Sequence, residues 1–409
     1  MTAIPAPACP DKASAKPKAY QGTLGALRSL DALDSQRVAA YALIILVAYL
    51  PMLASVWLEA TGAAGSDFQA FWGAARILAT SVPADVYSIA AERAAQAATG
   101  NDQLIVYVNP PPYLFFVAPL SLLSYPMAWI AWVVAGWTAF FVVARRILPA
   151  ASRTGDFAIL AFPGAYLAAS HAQNGFLTAA LLIGAVLSLR RSQVLSGVLF
   201  GALIIKPHIA LLVPFWLAAG RKWTAFAAAA ASAITLCLLS LLVFGFDVWA
   251  AYPESFKASA ALMAQEPGPF FLRMSTLFGS LRYHTDPTTA LVAQGLLTLG
   301  TMAIACLFWK RTQDEMAAGA MLLASTALAS PYLFSYDLAF LVMPVAWLAL
   351  QARQDGWRPW EKLLLAILWL SPLLTRSLAL PMEMNLMPLA AAALVWMVWR
   401  RGAAASKPE

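Results

Sequence analysis

Charged residues are scarce in this sequence. Only 11% of the 409 residues are Asp, Glu, Lys or Arg, whereas 61% are hydrophobic and the mean hydropathy is +0.70. A soluble domain needs far more polar surface, so the composition excludes that class and predicts an all-α polytopic membrane protein. Membrane lipids are the expected surroundings, and no nucleic acid is expected as a partner.

Residues that commonly bind metals or cross-link chains are also few. The three cysteines, Cys9, Cys237 and Cys306, lie in the N-terminal region and in apolar runs. Their spacing fits no zinc motif, and a disulfide framework is not expected. A Gly-rich nucleotide loop and the nucleophile elbow of a serine hydrolase are missing as well. We therefore expect no metal and no cofactor, and chemistry that is not driven by a nucleotide.

The N-terminal region has no apolar segment of the signal-peptide type. It is rich in Ala, Pro and Lys, which predicts a disordered cytoplasmic tail over residues 1–36. A single transmembrane domain is predicted over 37–400, followed by a cytoplasmic tail over 401–409.

Basic residues separate the apolar runs, and their positions predict the topology. If every Lys/Arg cluster is cytoplasmic, both ends of the chain are inside and the chain crosses the membrane about twelve times. Two outer loops are long, 58–109 and 245–287. The predicted spans are 38–57, 127–144, 155–170, 173–189, 193–206, 207–219, 223–244, 288–308, 314–329, 333–350, 361–380 and 384–399.

The segment 110–124, PPPYLFFVAPLSLLS, does not fit this scheme. It is apolar but short, because about 20 residues are needed to cross the hydrocarbon core. Counting it as a span would also place the following basic clusters outside. We expect it to re-enter the membrane or to lie on its surface.

The stretch GSDFQAFWGAARI, residues 65–77, begins the first outer loop. Ser66 and Gln69 have the spacing of a capping box, and an apolar stripe follows on one helical face. The pattern predicts a helix that lies along the bilayer surface. A carboxylate, Asp67, stands in its first turn.

Other polar residues fall on the same predicted outer side as Asp67. Because polar groups at membrane depth are costly, their convergence indicates a functional site. They come from the short segments HAQNG, KPH and SPYLFSYD, and the candidates are His171, Gln173, Asn174, Lys206, His208, Tyr336 and Asp337.

Several of these residues also have a purely structural explanation. Asp67 could only complement the helix dipole, and Lys206 could extend towards lipid headgroups. His171 and His208 could be hydrogen-bonded packing residues. Asp337 could be a buried acid bound to a loop amide.

The chemistry that suits this set is the transfer of a group from a lipid phosphate. Lys206, with Arg273 or Arg282 and a histidine such as His208, could bind the phosphate and stabilise it as it leaves. Asp67 could take the proton of an attacking hydroxyl group. The remaining polar residues could orient the sugar or the acceptor.

Several segments resemble those of glycosyltransferase family 87, whose members include polyprenyl-phosphate-mannose-dependent α-mannosyltransferase-like membrane enzymes. They are SDFQAFWGAARIL, ADVYS, YVNPPPYLFFVAPLSLL, the long segment from HAQNG to AAGRKW, and SPYLFSYDLAFL, in order over residues 40–400.

The resemblance implies a fold of the GT-C superfamily, with juxtamembrane helices in the first outer loop and a cavity that faces the periplasm. It implies transfer of a sugar from a polyprenyl-phosphate donor to a glycan or glycolipid hydroxyl, with inversion, in the plasma membrane. In such enzymes the catalytic acid lies soon after the first span, which is the position of Asp67. No metal is implied.

Two other functions share some of these features. A flippase for lipid-linked sugars would also need a lipid groove, but it would often show internal repeats, and none is evident. A polysaccharide ligase or polymerase usually has its large loop late in the chain, whereas here the larger loop comes first.

Overall fold

The structure is a computed structural model that describes residues 22–62, 65–101, 103–263 and 267–404. All regular secondary structure in these ranges is helical, apart from one isolated antiparallel bridge between Met274 and Phe334. The predicted all-α class is therefore confirmed. The predictions for residues 1–21 and 405–409 concern residues outside the described ranges.

The N-terminal half contains eleven of the α-helices in the described ranges and six short 3-10 helices. The α-helices are α1 Thr23–Ser29, α2 Ser35–Ala60, α3 Phe68–Thr80, α4 Ile89–Ala97, α5 Leu114–Val117, α6 Tyr125–Ala144, α7 Arg153–Leu160, α8 Pro163–Ser170, α9 Gly175–Ser188, α10 Gln193–Gly201 and α11 Val213–Ala219. The 3-10 helices are Pro83–Tyr87, Pro111–Tyr113, Ala118–Leu122, Arg145–Ile147, Ala202–Ile205 and Pro207–Ile209.

The C-terminal half continues with longer helices and one 3-10 helix, Ser335–Leu341. Its α-helices are α12 Trp223–Phe244, α13 Phe246–Met263, α14 Pro267–Arg273, α15 Leu277–His284, α16 Pro287–Arg311, α17 Glu315–Ala329, α18 Val342–Asp355, α19 Glu361–Leu378 and α20 Met387–Ala404.

Within the described ranges, five helical segments are long and apolar enough to cross a bilayer: Ser35–Ala60, Tyr125–Ile147, Trp223–Phe244, Pro287–Arg311 and Ser335–Asp355. Shorter apolar helices lie among them. The protein is thus a polytopic helical membrane protein. The predicted number of twelve spans is not confirmed by helix length.

Several predicted spans are interrupted. The span 155–170 divides at Phe162, because Pro163 begins a new helix and cannot continue the preceding one. The two short spans 193–206 and 207–219 form a hairpin whose tip is helical only in 3-10 form. Lys206 lies at that tip, between the two 3-10 helices.

Close contact between α10 and α12 fixes the first arm of this hairpin. A Cβ atom added to Gly197 or Gly201 would overlap the backbone carbonyl oxygens of Ala225 and Ala229, respectively. Small residues at a spacing of four let two membrane helices approach at backbone distance. The contact therefore sets the position of the segment that leads to Lys206.

The predicted termini need correction where they are described. Residues 23–29, expected to be disordered, form α1, which is fixed to α19 because Trp360 donates its backbone N–H to the carbonyl of Arg28 at 2.7 Å. Residues 401–404, expected to belong to a tail, continue α20. Arg401 is buried there and forms an ion pair with Glu361, which explains why the helix extends.

The predicted first outer loop contains the predicted helix, as α3. Its position along the bilayer surface stays a prediction. Phe68, Phe71 and Trp72 are buried against other aromatic residues of the chain, including Tyr125. The apolar stripe thus faces protein, because the rest of the chain folds over it. Only half of the predicted capping box forms: Gln69 accepts the Ser66 N–H at 3.0 Å, while the Ser66 hydroxyl lies 3.2 Å from the Tyr125 hydroxyl.

The ambiguous segment 110–124 consists of three short helical pieces that pack beneath α3. Pro111, Pro112 and Leu114 are buried against the rest of the chain. Whether the segment re-enters the membrane or lies on its surface stays a prediction. A continuous helix from 111 to 122 would be roughly 18 Å long, too short to cross a core of about 30 Å.

Glu92 is a fully buried carboxylate in α4 of the same loop. Its Oε2 accepts the backbone N–H of Tyr107 at 3.0 Å, but Oε1 has no hydrogen-bond partner in the described part of the chain. Burial raises the pKa of Glu92 from 4.5 to about 8, although the bond from Tyr107 opposes this shift. The folded state therefore favours the neutral acid.

Glu92→Gln should make stability less dependent on pH. The folded state binds the Glu92 proton more tightly than the unfolded chain does. The contribution of Glu92 to the free energy of unfolding is therefore fully present below pH 4.5, and it is lost as the pH rises through about 8. Melting temperatures of detergent-solubilised protein should fall over this window in wild type and less in the variant. Glu59→Gln, at an exposed position, should keep the wild-type slope; parallel curves for wild type and Glu92→Gln would contradict the assignment.

Candidate active site

The turn between α8 and α9 places two amide side chains at the centre of the site. Ala172 is buried and has a left-handed backbone, with φ of 43°, which is uncommon for a residue with a Cβ atom. Gln173 and Asn174 follow directly. Such strained backbone is often found where a structure positions functional side chains.

Asp67 faces this turn. Its Oδ2 accepts a hydrogen bond from Nε2 of Gln173 at 3.3 Å. Although Asp67 stands at the N-cap position of α3, its side chain makes no capping hydrogen bond. A simple capping role therefore does not explain where the carboxylate points, since it is directed at a residue 106 positions away in sequence.

Lys206 approaches the same turn from the tip of the hairpin. Its Nζ donates to Oδ1 of Asn174 at 2.8 Å and forms an ion pair with Asp337. Only 11% of the Lys206 side chain is exposed. The ammonium group thus contacts protein groups and does not extend to lipid headgroups. Asp67 and Lys206 are joined through two consecutive residues, Gln173 and Asn174.

Asp337 is completely buried and uses both carboxylate oxygens. Oδ1 pairs with Lys206, and Oδ2 accepts the backbone N–H of Phe334 at 3.1 Å. The structural alternative proposed from the sequence, a buried acid bound to a loop amide, describes this geometry. With both oxygens engaged, Asp337 holds Lys206 and does not present a free oxygen to a sugar.

Aromatic rings surround the ion pair. The Tyr336 ring lies 5.5 Å from Nζ of Lys206, 5.2 Å from the Phe334 ring and 5.4 Å from the imidazole of His171. His171 also lies close to its own helix, with Nδ1 at 3.0 Å from the carbonyl of Leu167. The low-dielectric surroundings should strengthen electrostatic interactions of Lys206.

Tyr332 also belongs to this site, although its sequence pattern did not predict this position. Its ring lies 5.4 Å from that of His208, whose Nε2 is buried with no hydrogen-bond partner among the described residues. Burial raises the pKa of the Tyr332 hydroxyl, and the charges of Asp337 and Asp67 raise it further. The feature of the sequence that could have identified Tyr332 is its position in the SPYLFSYD segment.

The two arginines predicted to assist Lys206 lie elsewhere in their loop. Arg282 stacks over the Phe271 ring at 5.1 Å and donates to the carbonyl of Thr285 at 3.1 Å. Arg273 is exposed, and its charge is close enough to that of Arg376 to repel it. In the described ranges, neither Arg273 nor Arg282 contacts Lys206, so a shared phosphate site remains a prediction.

Gly175→Ala should disrupt the site. A Cβ atom on Gly175 would overlap the backbone carbonyl oxygen of Tyr336, which cannot move without shifting the turn that carries Asp337. We expect a loss of stability of about 1–3 kcal/mol and a loss of activity, measured by thermal unfolding and by turnover. Gly295→Ala is the matched control, because a Cβ there meets no atom within 4 Å. Equal stability of the two variants would contradict the predicted overlap with the Tyr336 carbonyl oxygen.

Residues 107–331 match the sequence profile of glycosyltransferase family 87. This match covers more than half of the chain. The protein belongs to glycosyltransferase family 87. It is therefore a membrane glycosyltransferase, as the resemblance implied. The matched part includes Gln173, Asn174 and Lys206, while Asp67 and Asp337 lie outside it.

Comparison with curated proteins and with solved structures gives no significant match to this glycosyltransferase.

Proposed function

We propose that the protein transfers a hexose, with mannose as the first candidate, from a polyprenyl-phosphate donor to an acceptor hydroxyl on the periplasmic side of the plasma membrane. The reaction inverts the anomeric carbon. The observation that carries the proposal is the linkage of Asp67 to Lys206 through Gln173 and Asn174. A carboxylate and an ammonium group thus meet in one site, as this transfer requires.

Asp67 is the base in this proposal. It removes the proton from the acceptor hydroxyl, whose oxygen attacks the anomeric carbon as the bond from that carbon to the phosphate oxygen breaks. Asp67 suits this role better than Asp337, because one of its oxygens has no hydrogen bond within the described part of the chain, whereas both oxygens of Asp337 are engaged.

Lys206 binds the phosphate that leaves with the bonding electrons. Charge-assisted hydrogen bonds from an ammonium group stabilise developing negative charge, most strongly where water is excluded. Asp337 keeps the ammonium group in position before the donor arrives. Gln173, Asn174, Tyr336 and His171 line the place where the sugar and the acceptor would be oriented.

The wider arrangement follows from the same proposal. The chain adopts a GT-C-type fold with about twelve crossings, some of them broken, and the isoprenoid chain of the donor lies between helices. The acceptor is a glycan or glycolipid that approaches from the periplasm. Neither a cofactor nor a metal is needed, because the donor is already activated.

The test uses purified full-length protein in lipid nanodiscs with radiolabelled polyprenyl-phosphate mannose or glucose and a panel of extracted envelope glycolipids. A labelled glycosidic product that withstands mild acid, together with release of polyprenyl phosphate, would support the proposal. Transfer from a polyprenyl-diphosphate donor alone would point to a ligase or polymerase. In sealed liposomes, movement of the donor across the bilayer without any product would point to a flippase.

A further inference from the structure

A cavity lies away from the candidate active site, between α2, α7, α18 and α19. It has a volume of about 590 Å³ and apolar walls. The wall residues come from all four helices and include Ile45, Ile159, Ala346, Leu365 and Leu370. We call this cavity the four-helix groove.

Polar residues line the four-helix groove at one end only. Ser35 is the first residue of α2 and Thr154 the second residue of α7. Arg353 and Lys362 lie at the same end, on α18 and α19. From Val342 to Arg353 the groove follows α18 over twelve residues, a rise of roughly 16 Å. This length equals about half of a 30 Å hydrocarbon core, which is the depth of one leaflet.

The polar end lies on the opposite side of the molecule from Asp67. Helix α2 starts at Ser35, beside the groove, and ends at Ala60, shortly before Asp67. Its 26 residues span roughly 39 Å. The polar end therefore belongs to the side that the distribution of basic residues assigns to the cytoplasm, where the leaflet carries anionic lipids.

The charge at this end is positive. Within the described ranges, no carboxylate lies within 4 Å of the Arg353 guanidinium group. Lys362 Nζ lies 3.8 Å from the largely exposed Asp31 and 5.6 Å above the Trp357 ring. Asp34 lines the same end, but it accepts the backbone N–H of Arg37 at 2.8 Å.

We propose that the four-helix groove binds an anionic phospholipid of the cytoplasmic leaflet. One acyl chain lies along the apolar walls, and the phosphate lies between Arg353 and Lys362. The site is separate from the donor site, and it does not depend on the proposed function. Basic pockets between membrane helices on the cytoplasmic side are suited to anionic headgroups.

Two other occupants fit less well. The N-terminal residues 1–21 contain Lys12, Lys16 and Lys18 and few large apolar residues, so Arg353 and Lys362 would repel them. A polyprenyl chain is much longer than the groove, whereas an acyl chain extends over one leaflet. The experiment must therefore distinguish an anionic phospholipid from these two occupants.

The test is native mass spectrometry of the full-length protein released from nanodiscs that contain equal amounts of phosphatidylglycerol and phosphatidylcholine. Wild type should retain phosphatidylglycerol preferentially, at about one molecule per chain. Arg353→Gln/Lys362→Gln should weaken that retention roughly tenfold or more, because each basic residue contributes attraction for anionic lipid. Ala349→Phe, which fills the groove, should lower retention of both lipids.

The matched control is Arg190→Gln/Arg191→Gln, which removes two exposed basic residues between α9 and α10. It should retain phosphatidylglycerol as wild type does, and thermal unfolding should show that all variants are folded. Equal retention of the two lipids by wild type, or equal losses in both double variants, would refute the site. Displacement of phosphatidylglycerol by equimolar polyprenyl phosphate, or retention only after deletion of residues 1–21, would also refute it.

Discussion

Asp67→Asn should lower the rate of sugar transfer by about 100- to 10,000-fold, the range expected when a general base is removed. Asparagine keeps an oxygen that accepts the Gln173 hydrogen bond, so the site should retain its geometry. The donor should still bind, because Lys206 is unchanged. The measurement is single-turnover transfer with saturating polyprenyl-phosphate sugar, alongside the melting temperature of the variant.

Asp85→Asn is the matched control for this prediction. Asp85 lies in the same outer loop, in the 3-10 helix Pro83–Tyr87, and its carboxylate accepts a hydrogen bond from Ser81. Its substitution should leave the transfer rate near that of wild type. Near-normal turnover of Asp67→Asn would remove Asp67 from the mechanism, whereas slow turnover of both variants would indicate a general defect of the loop.

Lys206→Met should reduce both stability and activity. Asp337 has no exposed surface, so removing its partner leaves a buried carboxylate without a cation. Breaking a buried pair in this way costs about 3–5 kcal/mol. The double variant Lys206→Met/Asp337→Asn removes the unpaired charge and should regain most of the stability. It should still fail to transfer sugar, because no ammonium group remains to stabilise the leaving phosphate.

The ion pair between Lys222 and Glu315 provides the comparison. Its side chains are 20% and 24% exposed, in contrast to 11% and 0% for Lys206 and Asp337. Lys222→Met should therefore cost less stability and leave transfer intact. If the double variant at 206 and 337 were both stable and active, the ion pair would have no role in phosphate binding.

The catalytic and binding roles of Asp67 and Lys206 stay predictions. The sequence did predict that Asp67, Gln173, Asn174 and Lys206 converge, and hydrogen bonds link these four residues in the structure. The prediction succeeded because basic clusters define which helix ends share a side, and three short polar segments fall on one side. It did not show that Asp337 neutralises Lys206. That pairing depends on a loop conformation in which Phe334 also binds the carboxylate, and periodicity carries no information about such a loop.

The fold of the first outer loop shows a different limit. The sequence predicted the helix near residues 68–80 from its cap and its apolar stripe, and the helix is there. The stripe alone could not distinguish lipid from protein as its partner, since both are apolar. The neighbours that bury Phe71, among them Tyr113 and Trp132, come from segments whose packing depends on the whole chain.

The glycines at 197 and 201 have a consequence for tolerance to substitution. Because two main chains touch there, the distance between them sets the lateral position of the hairpin arm that leads to Lys206. A single added methyl group would push one arm of the hairpin sideways and displace the cation without changing any group that meets substrate. Loss of activity can thus arise from substitutions at positions that face neither sugar nor lipid phosphate.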